Sequence, residues 1–307
     1  MHTETELLPS INYNSSRELR AFLSEQGLGM RKKFGQNFLI DSAARLRLLD
    51  ALELKKGDEV WEIGPGLGAM TKGLLEQGAN VTAFEIDPAF STLLRKLFCF
   101  NNFQQEALQE TFRLVEGDVL KTWPHVNATG YTKPAEELSL LGNLPYNIAA
   151  ALIADFIEKG RFFKRMVVTV QREVAQRMAS LPGSKDYSSF SVLCSSVYNV
   201  SLLQVIRSTS FYPAPQVDSQ GVRLDLIANR TKRPPRFYPL VRSLFSSRRK
   251  TLRNTLSAYT ASVKIAEEVL KRAGISGERR AETLCVDDFH ALAAFLEEVS
   301  DEVFLDK

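Results

Sequence analysis

The sequence predicts an α/β protein with a mostly parallel, Rossmann-like sheet of seven strands and a smaller helical part at its C-terminal end. Short apolar segments alternate with amphipathic segments between residues 42 and 227, which is typical of a parallel sheet. Glycines or polar residues follow the first four strands, as expected at a ligand-binding edge. Beyond Pro234 and Pro235 every segment has helical spacing, which predicts a separate helical domain.

Seven apolar stretches have the length and composition of strands. They are residues 59–63, 80–86, 112–115, the stretch ending at Asn143, 166–170, 202–208 and 221–227. We expect the last two to form a hairpin-like end around the loop 211–219. Helical spacing of apolar side chains predicts helices at residues 42–52, 69–77, 88–100, 148–158, 172–180 and 188–198. The same spacing in residues 281–307 predicts a helix that packs on the core.

The first strand runs into a turn with three glycines, Gly64, Gly66 and Gly68. Glycines let the backbone pass close to a ligand, and the following helix offers unpaired N–H groups. The spacing G-x-G-x-G differs from the dinucleotide pattern G-x-G-x-x-G. No His or Lys is placed as a proton donor, so an NAD-dependent dehydrogenase is disfavoured.

Acidic residues follow the second and third strands. Glu85 lies about twenty residues beyond the glycines, where a carboxylate can accept hydrogen bonds from both hydroxyls of a ribose. Asp118 follows the third strand and is expected to accept from an adenine amino group. Each acid alone could be a loop charge or a helix cap. Together with the glycine turn and the motif that ends the fourth strand, they predict a nucleoside-binding edge.

The fourth strand ends in Asn143-Leu144-Pro145-Tyr146, which predicts methylation of an amino group. An exocyclic adenine nitrogen is a weak nucleophile because its lone pair is delocalised into the ring. The Asn143 amide oxygen and a backbone carbonyl near Leu144 can accept its two N–H bonds and direct the lone pair outward. Pro145 fixes the turn and Tyr146 can stack on the base. For the tetrapeptide alone, a strand-closing turn is the alternative.

These motifs resemble those of the ribosomal RNA adenine dimethyltransferases, and the resemblance covers most of the chain. The residues that carry it are 34–39, 62–68, 84–87, 117–118, 143–147, 171–175, 211–219 and 245–256. The resemblance implies a class I methyltransferase fold with S-adenosylmethionine as the cofactor. It also implies dimethylation of N6 in two adjacent adenines of a hairpin loop in small-subunit ribosomal RNA, with a role in the biogenesis of that subunit.

The resemblance also implies the residues of the site. The expected cofactor contacts are Gln36, Asn37, Leu39, Gly64, Gly66, Glu85, Ile86, Asp118, Val119 and Asn143. The residues expected around the target base are Asn143, Leu144, Pro145, Tyr146 and Phe211, with Phe211 exposed on a Pro-rich loop. Ser188 departs from the family pattern, which has Gly at this position. If the position requires a positive φ, the loop must differ locally.

Nine basic residues and no acidic residue occur between residues 230 and 253, and such a block suits a phosphate backbone. A solvated surface is the alternative. We expect a helix to begin near Ser246 and to direct its basic residues toward RNA. The predicted RNA contacts are Arg248, Arg249, Lys250, Arg253 and a second cluster, Arg31, Lys32 and Lys33. The predicted domains are an N-terminal extension (1–30), a methyltransferase domain (31–230) and a helical RNA-binding domain (231–307).

Composition disfavours several other classes. The 307 residues are 44% hydrophobic and 24% charged, enough for a large and a small domain. No apolar run reaches the length of a membrane span and the first residues are polar, so we expect a cytoplasmic protein with no membrane contact. Three histidines and three isolated cysteines, Cys99, Cys194 and Cys285, predict reduced core thiols and no metal. The expected partner is small-subunit ribosomal RNA or the immature small ribosomal subunit, bound by a monomer.

Two alternatives share the resemblance. One is a large-subunit rRNA adenine methyltransferase of the macrolide-resistance type, although residues 245–256 favour the small-subunit type. The other is a non-catalytic RNA- or DNA-binding assembly factor with the same fold. Glu85, Asp118, Asn143 and Tyr146 are all intact, which argues against the loss of catalysis.

Overall fold

The computed structural model describes residues 11–31, 34–98, 111–128, 134, 136–228 and 233–305. The chain divides into two compact units. The first comprises Met1–Phe156, Arg161–Ala175 and Ser201–Leu226, and the second comprises Ile157–Gly160, Gln176–Val200 and Ile227–Lys307. The second unit therefore contains residues 176–200 in addition to the C-terminal helices.

A seven-stranded sheet and a two-stranded sheet contain the strands of the described residues. In chain order the strands are β1 (Phe38–Leu39), β2 (Glu59–Ile63), β3 (Asn80–Glu85), β4 (Phe112–Glu116), β5 (Leu138–Asn143), β6 (Arg165–Gln171), β7 (Tyr198–Ile206), β8 (Phe211–Tyr212) and β9 (Ser219–Leu226). The large sheet has the order β4-β3-β2-β5-β6-β9-β7, and β1 pairs with β8. The first five strands of this order, β4, β3, β2, β5 and β6, are parallel to one another, and β9 is antiparallel to β6. The predicted seven-stranded, mostly parallel sheet is confirmed.

The order of the strands creates a crevice at one edge of the sheet. Strands β3 and β5 flank β2 on opposite sides, so the connections that leave their carboxyl ends diverge there. Ile63 pairs with Phe84 on one side and with Gly142 on the other. The register therefore brings Gly64, Glu85 and Asn143, which directly follow these residues, to the same edge.

Among the described residues, eight α-helices lie between these strands or before them. They are α1 (Ser16–Glu25), α2 (Ser42–Asp50), α3 (Ala69–Glu76), α4 (Pro88–Phe98), α5 (Val119–Ala128), α6 (Ala149–Glu158), α7 (Arg172–Met178) and α8 (Ser189–Ser195). The six predicted helices all occur, and most of their ends lie within two residues of the prediction. Helix α1, which Ser15 caps through the N–H of Glu18, and α5, which contains Pro124, were not predicted.

The prediction for residues 188–208 was partly wrong. Helix α8 ends at Ser195 and β7 already begins at Tyr198, which had been assigned to the helix. The strand ends at Ile206, and Ser208–Ser210 form a 3₁₀ turn. Tyr198 is buried, so its burial in the sheet outweighs the helical spacing of the preceding residues.

Ser188 adopts an ordinary extended conformation, with a φ of −151°. Its backbone N–H donates a 3.0 Å hydrogen bond to the Ser191 hydroxyl, which satisfies one end of α8 in the manner of a capping box. The serine in place of the family glycine therefore needs no left-handed backbone.

From residue 233 to residue 305 the second unit has four α-helices: α9 (Phe237–Phe245), α10 (Leu252–Thr260), α11 (Val263–Arg272) and α12 (Val286–Leu305). They enclose a core that includes Phe237, Leu256 and Phe289. The predicted C-terminal packing helix is confirmed, although it begins at Val286. The prediction that a helix begins near Ser246 was wrong. Helix α10 begins six residues later, where the N–H of Leu252 donates to the Arg279 carbonyl.

The two described cysteines differ in burial. Cys194 is buried and Cys285 is exposed, so the prediction of a core position was wrong for Cys285, and Cys99 lies outside the described residues. Within the described ranges, no helix is both long and apolar enough to cross a membrane. The same residues contain no group of three or more His, Cys, Asp or Glu side chains that could hold a metal ion.

Candidate active site

A cleft opens at the carboxyl ends of β2, β3 and β5. The cleft and its open mouth contain about 830 Å³ of space without protein atoms. Nine residues of the predicted site line it: Gln36, Asn37, Leu39, Gly64, Gly66, Glu85, Ile86, Asn143 and Pro145. The lining does not include five other predicted residues, Asp118, Val119, Leu144, Tyr146 and Phe211.

The glycine turn after β2 forms one wall of the cleft. Gly64, Gly66 and Gly68 have positive φ values of 70°, 56° and 86°, which side chains other than glycine adopt only with strain. A Cβ on Gly66 would also lie 2.9 Å from the Phe38 ring. The three glycines are therefore required by the path of the backbone around the cleft.

Glu85 is held with its carboxylate at the cleft. One oxygen accepts from the N–H of Gly66 at 3.1 Å and the other from the N–H of Asp87 at 2.8 Å. The side chain is only 4% exposed, and this burial raises its pKa to about 7 although the backbone donors oppose the shift. A fixed, buried acceptor of this kind fits a pair of hydroxyl donors.

Glu62 is a second buried carboxyl in the wall of the cleft, and sequence reasoning assigned it no separate role. Burial raises its pKa to about 8, and Glu85 adds to the shift. The Thr71 hydroxyl donates to Glu62 at 2.7 Å. An acid between the apolar residues Trp61 and Ile63, next to the end of the strand, was the available indication, since a buried carboxyl is costly without a function or a partner.

Gln36 connects the segment before β1 to the strand ends. Its amide nitrogen donates to Asp87 at 3.1 Å, and its amide oxygen accepts from the backbone N–H of Arg31 at 2.8 Å. Both ends of the side chain are thus used within the protein. Gln36 therefore shapes the cleft as well as lining it.

The amide of Asn143 has a defined orientation. Its nitrogen donates to the Asn37 carbonyl at 2.7 Å, which leaves the amide oxygen as a free acceptor in the cleft wall. The next residue, Leu144, is buried and its N–H donates to the Thr169 carbonyl at 3.1 Å. The backbone that carries Asn143 is therefore fixed on both sides.

The two predicted aromatic residues differ in their surroundings. Tyr146 is half-buried and its hydroxyl forms a 2.6 Å hydrogen bond with Ser219. Phe211 is only 3% exposed and pairs with Leu39 between β1 and β8, where both belong to one apolar core cluster. The prediction of an exposed aromatic at Phe211 was therefore wrong, because the short strand pairing directs this side chain inward.

Asp118 lies at the tip of β4, one strand from Glu85. One carboxylate oxygen accepts from the N–H of Leu120 at 3.1 Å, so Asp118 caps α5. The N–H of Gly117 donates to the Glu85 carbonyl at 2.8 Å. A contact between Asp118 and a cofactor adenine stays a prediction, as does the contact predicted for Val119.

The predicted RNA-binding residues differ in whether an acidic side chain already pairs with them. Arg248 pairs with Glu282 at 3.1 Å, and Arg253 lies within 3.8 Å of Glu267 and Glu278. Arg249 and Lys250 are exposed and form no ion pair with the described residues. Arg31 is exposed and its guanidinium lies 4.0 Å from Asp87, whereas Lys32 and Lys33 lie outside the described residues.

Comparison with known proteins identifies the family. The family model described as "Ribosomal RNA adenine dimethylase" matches residues 27–298. The chain belongs to this family. A ribosomal RNA small subunit methyltransferase A from Treponema denticola is 44% identical over 288 residues, which are 92% of this chain and 94% of the relative. The enzyme is accordingly an rRNA adenine dimethyltransferase that uses S-adenosylmethionine.

Two solved structures share the fold. A dimethyladenosine transferase from Plasmodium falciparum superposes with a TM-score of 0.68 at 23% identity, covering 85% of this chain and 97% of the other. The 23S rRNA methyltransferase ErmE superposes with a TM-score of 0.59 at 22% identity, covering 84% of this chain and 99% of the other. Together they confirm the class I methyltransferase fold.

The residues of the cleft fit S-adenosylmethionine. Glu85 offers a buried acceptor for the ribose hydroxyls, and the exposed Ile86 beside it offers an apolar surface for the adenine. Glu62 offers negative charge to a ligand that carries a sulfonium and an ammonium group. The positive-φ glycines allow the backbone to approach the ligand closely.

Binding of S-adenosylmethionine should release protons near neutral pH. The pKa values of Glu62 and Glu85 are raised to about 8 and about 7, so both carboxyls are partly protonated in this range. A ligand with positive charge and hydroxyl donors favours their ionised forms and lowers both pKa values. The affinity should therefore increase as the pH rises from 6 and level off at about pH 9, one unit above the higher of the two pKa values.

Calorimetric titration in buffers of different ionisation enthalpy measures this release. The apparent binding enthalpy should vary with the buffer, and Glu62→Gln should reduce this variation because it removes one of the two titrating groups. An enthalpy that is the same in all buffers at pH 7.5 would show that neither carboxyl changes its protonation on binding.

Proposed function

We propose that the protein dimethylates N6 of two adjacent adenines in a hairpin loop of small-subunit ribosomal RNA. Its substrate is this RNA or the immature small ribosomal subunit, on which it acts in the cytoplasm as a monomer. The 44% identity to a small-subunit methyltransferase over almost its full length supports the choice of subunit. The orientation of Asn143 is the observation that supports the chemistry.

Asn143 acts on the target nitrogen through its amide oxygen. The amide nitrogen is engaged by the Asn37 carbonyl, so the group facing the cleft is an acceptor. An acceptor that receives a hydrogen bond from N6–H draws the nitrogen toward a tetrahedral shape, which makes its lone pair available for methylation. Asn143 can do this without removing a proton, so no strong base is required before the transfer, and the methylated nitrogen releases its proton to solvent afterwards.

S-adenosylmethionine supplies an electrophilic methyl group, and the chain's own residues supply position. Pro145 restricts the backbone before Tyr146, and the hydrogen bond to Ser219 fixes the aromatic side chain of Tyr146. A ring held in this way can stack on an adenine that has left its helix or belongs to an exposed loop. Positioning of the two reactants then provides most of the rate acceleration.

Mapping of N6,N6-dimethyladenosine in ribosomal RNA tests the proposed substrate. RNA from cells that lack the protein should lose two adjacent modified adenines of the small subunit, and the purified enzyme should restore them on the small subunits of those cells. Loss of a modification in the large subunit would support the macrolide-resistance type. Unchanged modification of both subunits would support a non-catalytic assembly factor.

Arg249 and Lys250 should contribute more to RNA affinity than their basic neighbours. Neither forms an ion pair with the described residues, whereas Arg248 and Arg253 already have acidic partners. Each phosphate contact contributes roughly 0.7 to 0.9 to the slope of log affinity against log salt. Replacing both Arg249 and Lys250 by Gln should therefore flatten this slope by about 1.5.

The matched control is Arg253→Gln, which removes a paired charge from the same region. It should change the slope less than the double variant does, and both proteins should bind S-adenosylmethionine as the wild type does. The same slope in the double variant and the wild type would mean that this cluster serves only as a solvated surface.

A further inference from the structure

We propose that Arg45 binds the α-carboxylate of the methionine part of S-adenosylmethionine. The proposal rests on the family's cofactor and adds a binding residue that the motifs do not include. Arg45 lies on α2, lines the cleft and is only 8% exposed. Among the described residues that line the cleft, it is the only one with a positive charge.

The partners of Arg45 within the protein are neutral. Its guanidinium donates to the Leu39 carbonyl at 2.6 Å and to the Tyr13 carbonyl at 3.3 Å, and it also donates to the side chain of Asn14. Within the described part of the chain, no carboxylate lies within 4.0 Å of it. Burial lowers the pKa of Arg45, while Asp41 raises it from a greater distance.

A buried cation without an adjacent counter-ion is costly, which favours the binding of an anionic group at this point. The guanidinium has five N–H donors in one plane, and the three bonds to neutral partners leave donors for a further acceptor. The fork geometry of these donors matches a carboxylate. Arg45 can therefore bind a carboxylate without losing its contacts to the protein.

The charges around the cleft indicate which part of the ligand faces Arg45. Besides Arg45, the lining of the cleft contains two carboxyl groups, those of Glu62 and Glu85. Both have a raised pKa. S-adenosylmethionine has two positive groups and a single carboxylate. The positive groups are attracted by the carboxyl of Glu62, while Glu85 faces the ribose hydroxyls, so the carboxylate is best placed at the one cation of the lining.

Arg45 also holds the segment that precedes α1. Tyr13 lines the cleft and its hydroxyl donates to the Leu67 carbonyl at 3.0 Å. Leu19 of α1 lines the cleft as well and packs with Leu67 and Phe90. An indirect role for Arg45 is the alternative: it would support cofactor binding by holding the segment of Tyr13 and α1 in place, without touching the cofactor.

Two ligands and two forms of the protein distinguish a direct contact with the carboxylate from an indirect, structural role of Arg45. The affinities of S-adenosylmethionine and its decarboxylated analogue are measured for the wild type and for Arg45→Leu by calorimetry, without RNA. Loss of a charge-assisted contact should weaken binding of S-adenosylmethionine by about 10- to 100-fold. The affinity of the analogue should change little, because it has no carboxylate to lose.

Arg47→Leu is the matched control, since Arg47 lies exposed on the same helix, and it should change neither affinity. An equal loss for both ligands in Arg45→Leu would overturn the proposal and assign Arg45 to the wall alone. Unchanged affinity for both would overturn it as well. If Arg45→Leu does not fold, Arg45→Lys is measured in its place. It should lose part of the preference for S-adenosylmethionine over the decarboxylated analogue. An unaltered preference would contradict a two-point contact between the guanidinium and the carboxylate. Failure of the wild type to bind S-adenosylmethionine would instead refute the cofactor assignment.

Discussion

Replacing Asn143 by Ala should lower kcat by roughly 10²- to 10³-fold, the loss typical of removing one group that stabilises a transition state. The amide oxygen is the free end of a side chain whose nitrogen is fixed at the Asn37 carbonyl. In the proposed mechanism it acts on the target nitrogen during methyl transfer more than in the ground-state complex. The affinity for RNA should stay close to that of the wild type. Because Asn143 is also an expected cofactor contact, the affinity for S-adenosylmethionine should fall, but by less than kcat.

Single-turnover kinetics with the cofactor and RNA both saturating measure the chemical step directly. Asn143→Asp provides a second variant, because a carboxylate would face the Asn37 carbonyl and lose the bond that orients the group. It should be impaired although it keeps an acceptor oxygen. Asn80→Ala is the matched control, since Asn80 begins β3 at the opposite end of the sheet. A loss of RNA or cofactor affinity that accounts for the whole effect in Asn143→Ala would exclude the proposed role.

The sequence indicated the edge of the sheet at which the cleft lies, because that edge depends on local patterns. Strand periodicity, the glycines after β2 and the polar residues after β3 and β5 occur within short windows of the chain. Parallel strands bring their carboxyl ends together, so the proximity of Gly64, Glu85 and Asn143 followed without further information.

Features that depend on distant parts of the chain could not be predicted in this way. Arg45 contacts Tyr13, which lies 32 residues away, and no periodicity indicates such a contact. Phe211 is buried because it pairs with Leu39 in a two-residue strand, which is too short to produce a pattern. The start of α10 depends on hydrogen bonds to residues 277–279, so the basic residues before it were wrongly assigned to a helix.

Burial was the main property that the sequence did not provide for the site itself. Glu62 and Glu85 are both acids near strand ends in the sequence, but their raised pKa values follow from the apolar surroundings that only the folded chain supplies. The same holds for Cys285, which is exposed although its neighbours in the sequence are partly apolar. Residue type thus indicated the chemistry available, and tertiary packing determined its strength.

Replacing Glu85 should produce the second large effect, on cofactor affinity. Glu85→Ala removes a buried carboxylate that is oriented by two backbone donors and is expected to accept from two ribose hydroxyls. Loss of two charge-assisted bonds costs on the order of 2–4 kcal/mol, which corresponds to a roughly 30- to 1000-fold weaker binding of S-adenosylmethionine. Calorimetric titration without RNA measures this change.

Stability measurements separate this effect from damage to the fold. The pKa of Glu85 is raised from 4.5 to about 7, so between these values the folded state binds more protons than the unfolded state. The contribution of Glu85 to the free energy of unfolding therefore decreases as the pH rises through this range. At pH 8 and without cofactor, the isosteric variant Glu85→Gln should be at least as stable as the wild type, although it binds S-adenosylmethionine more weakly.

Glu116→Ala is the matched control, because Glu116 pairs in register with Glu85 at the end of the neighbouring strand but is exposed and bound to Arg95. Its removal should leave cofactor affinity unchanged. Unaltered affinity in a folded Glu85→Ala protein would contradict the contact with the ribose. Weak binding together with a large loss of stability in Glu85→Gln at pH 8 would show that Glu85 maintains the glycine turn, since it would then act through the N–H of Gly66 and not through the ligand.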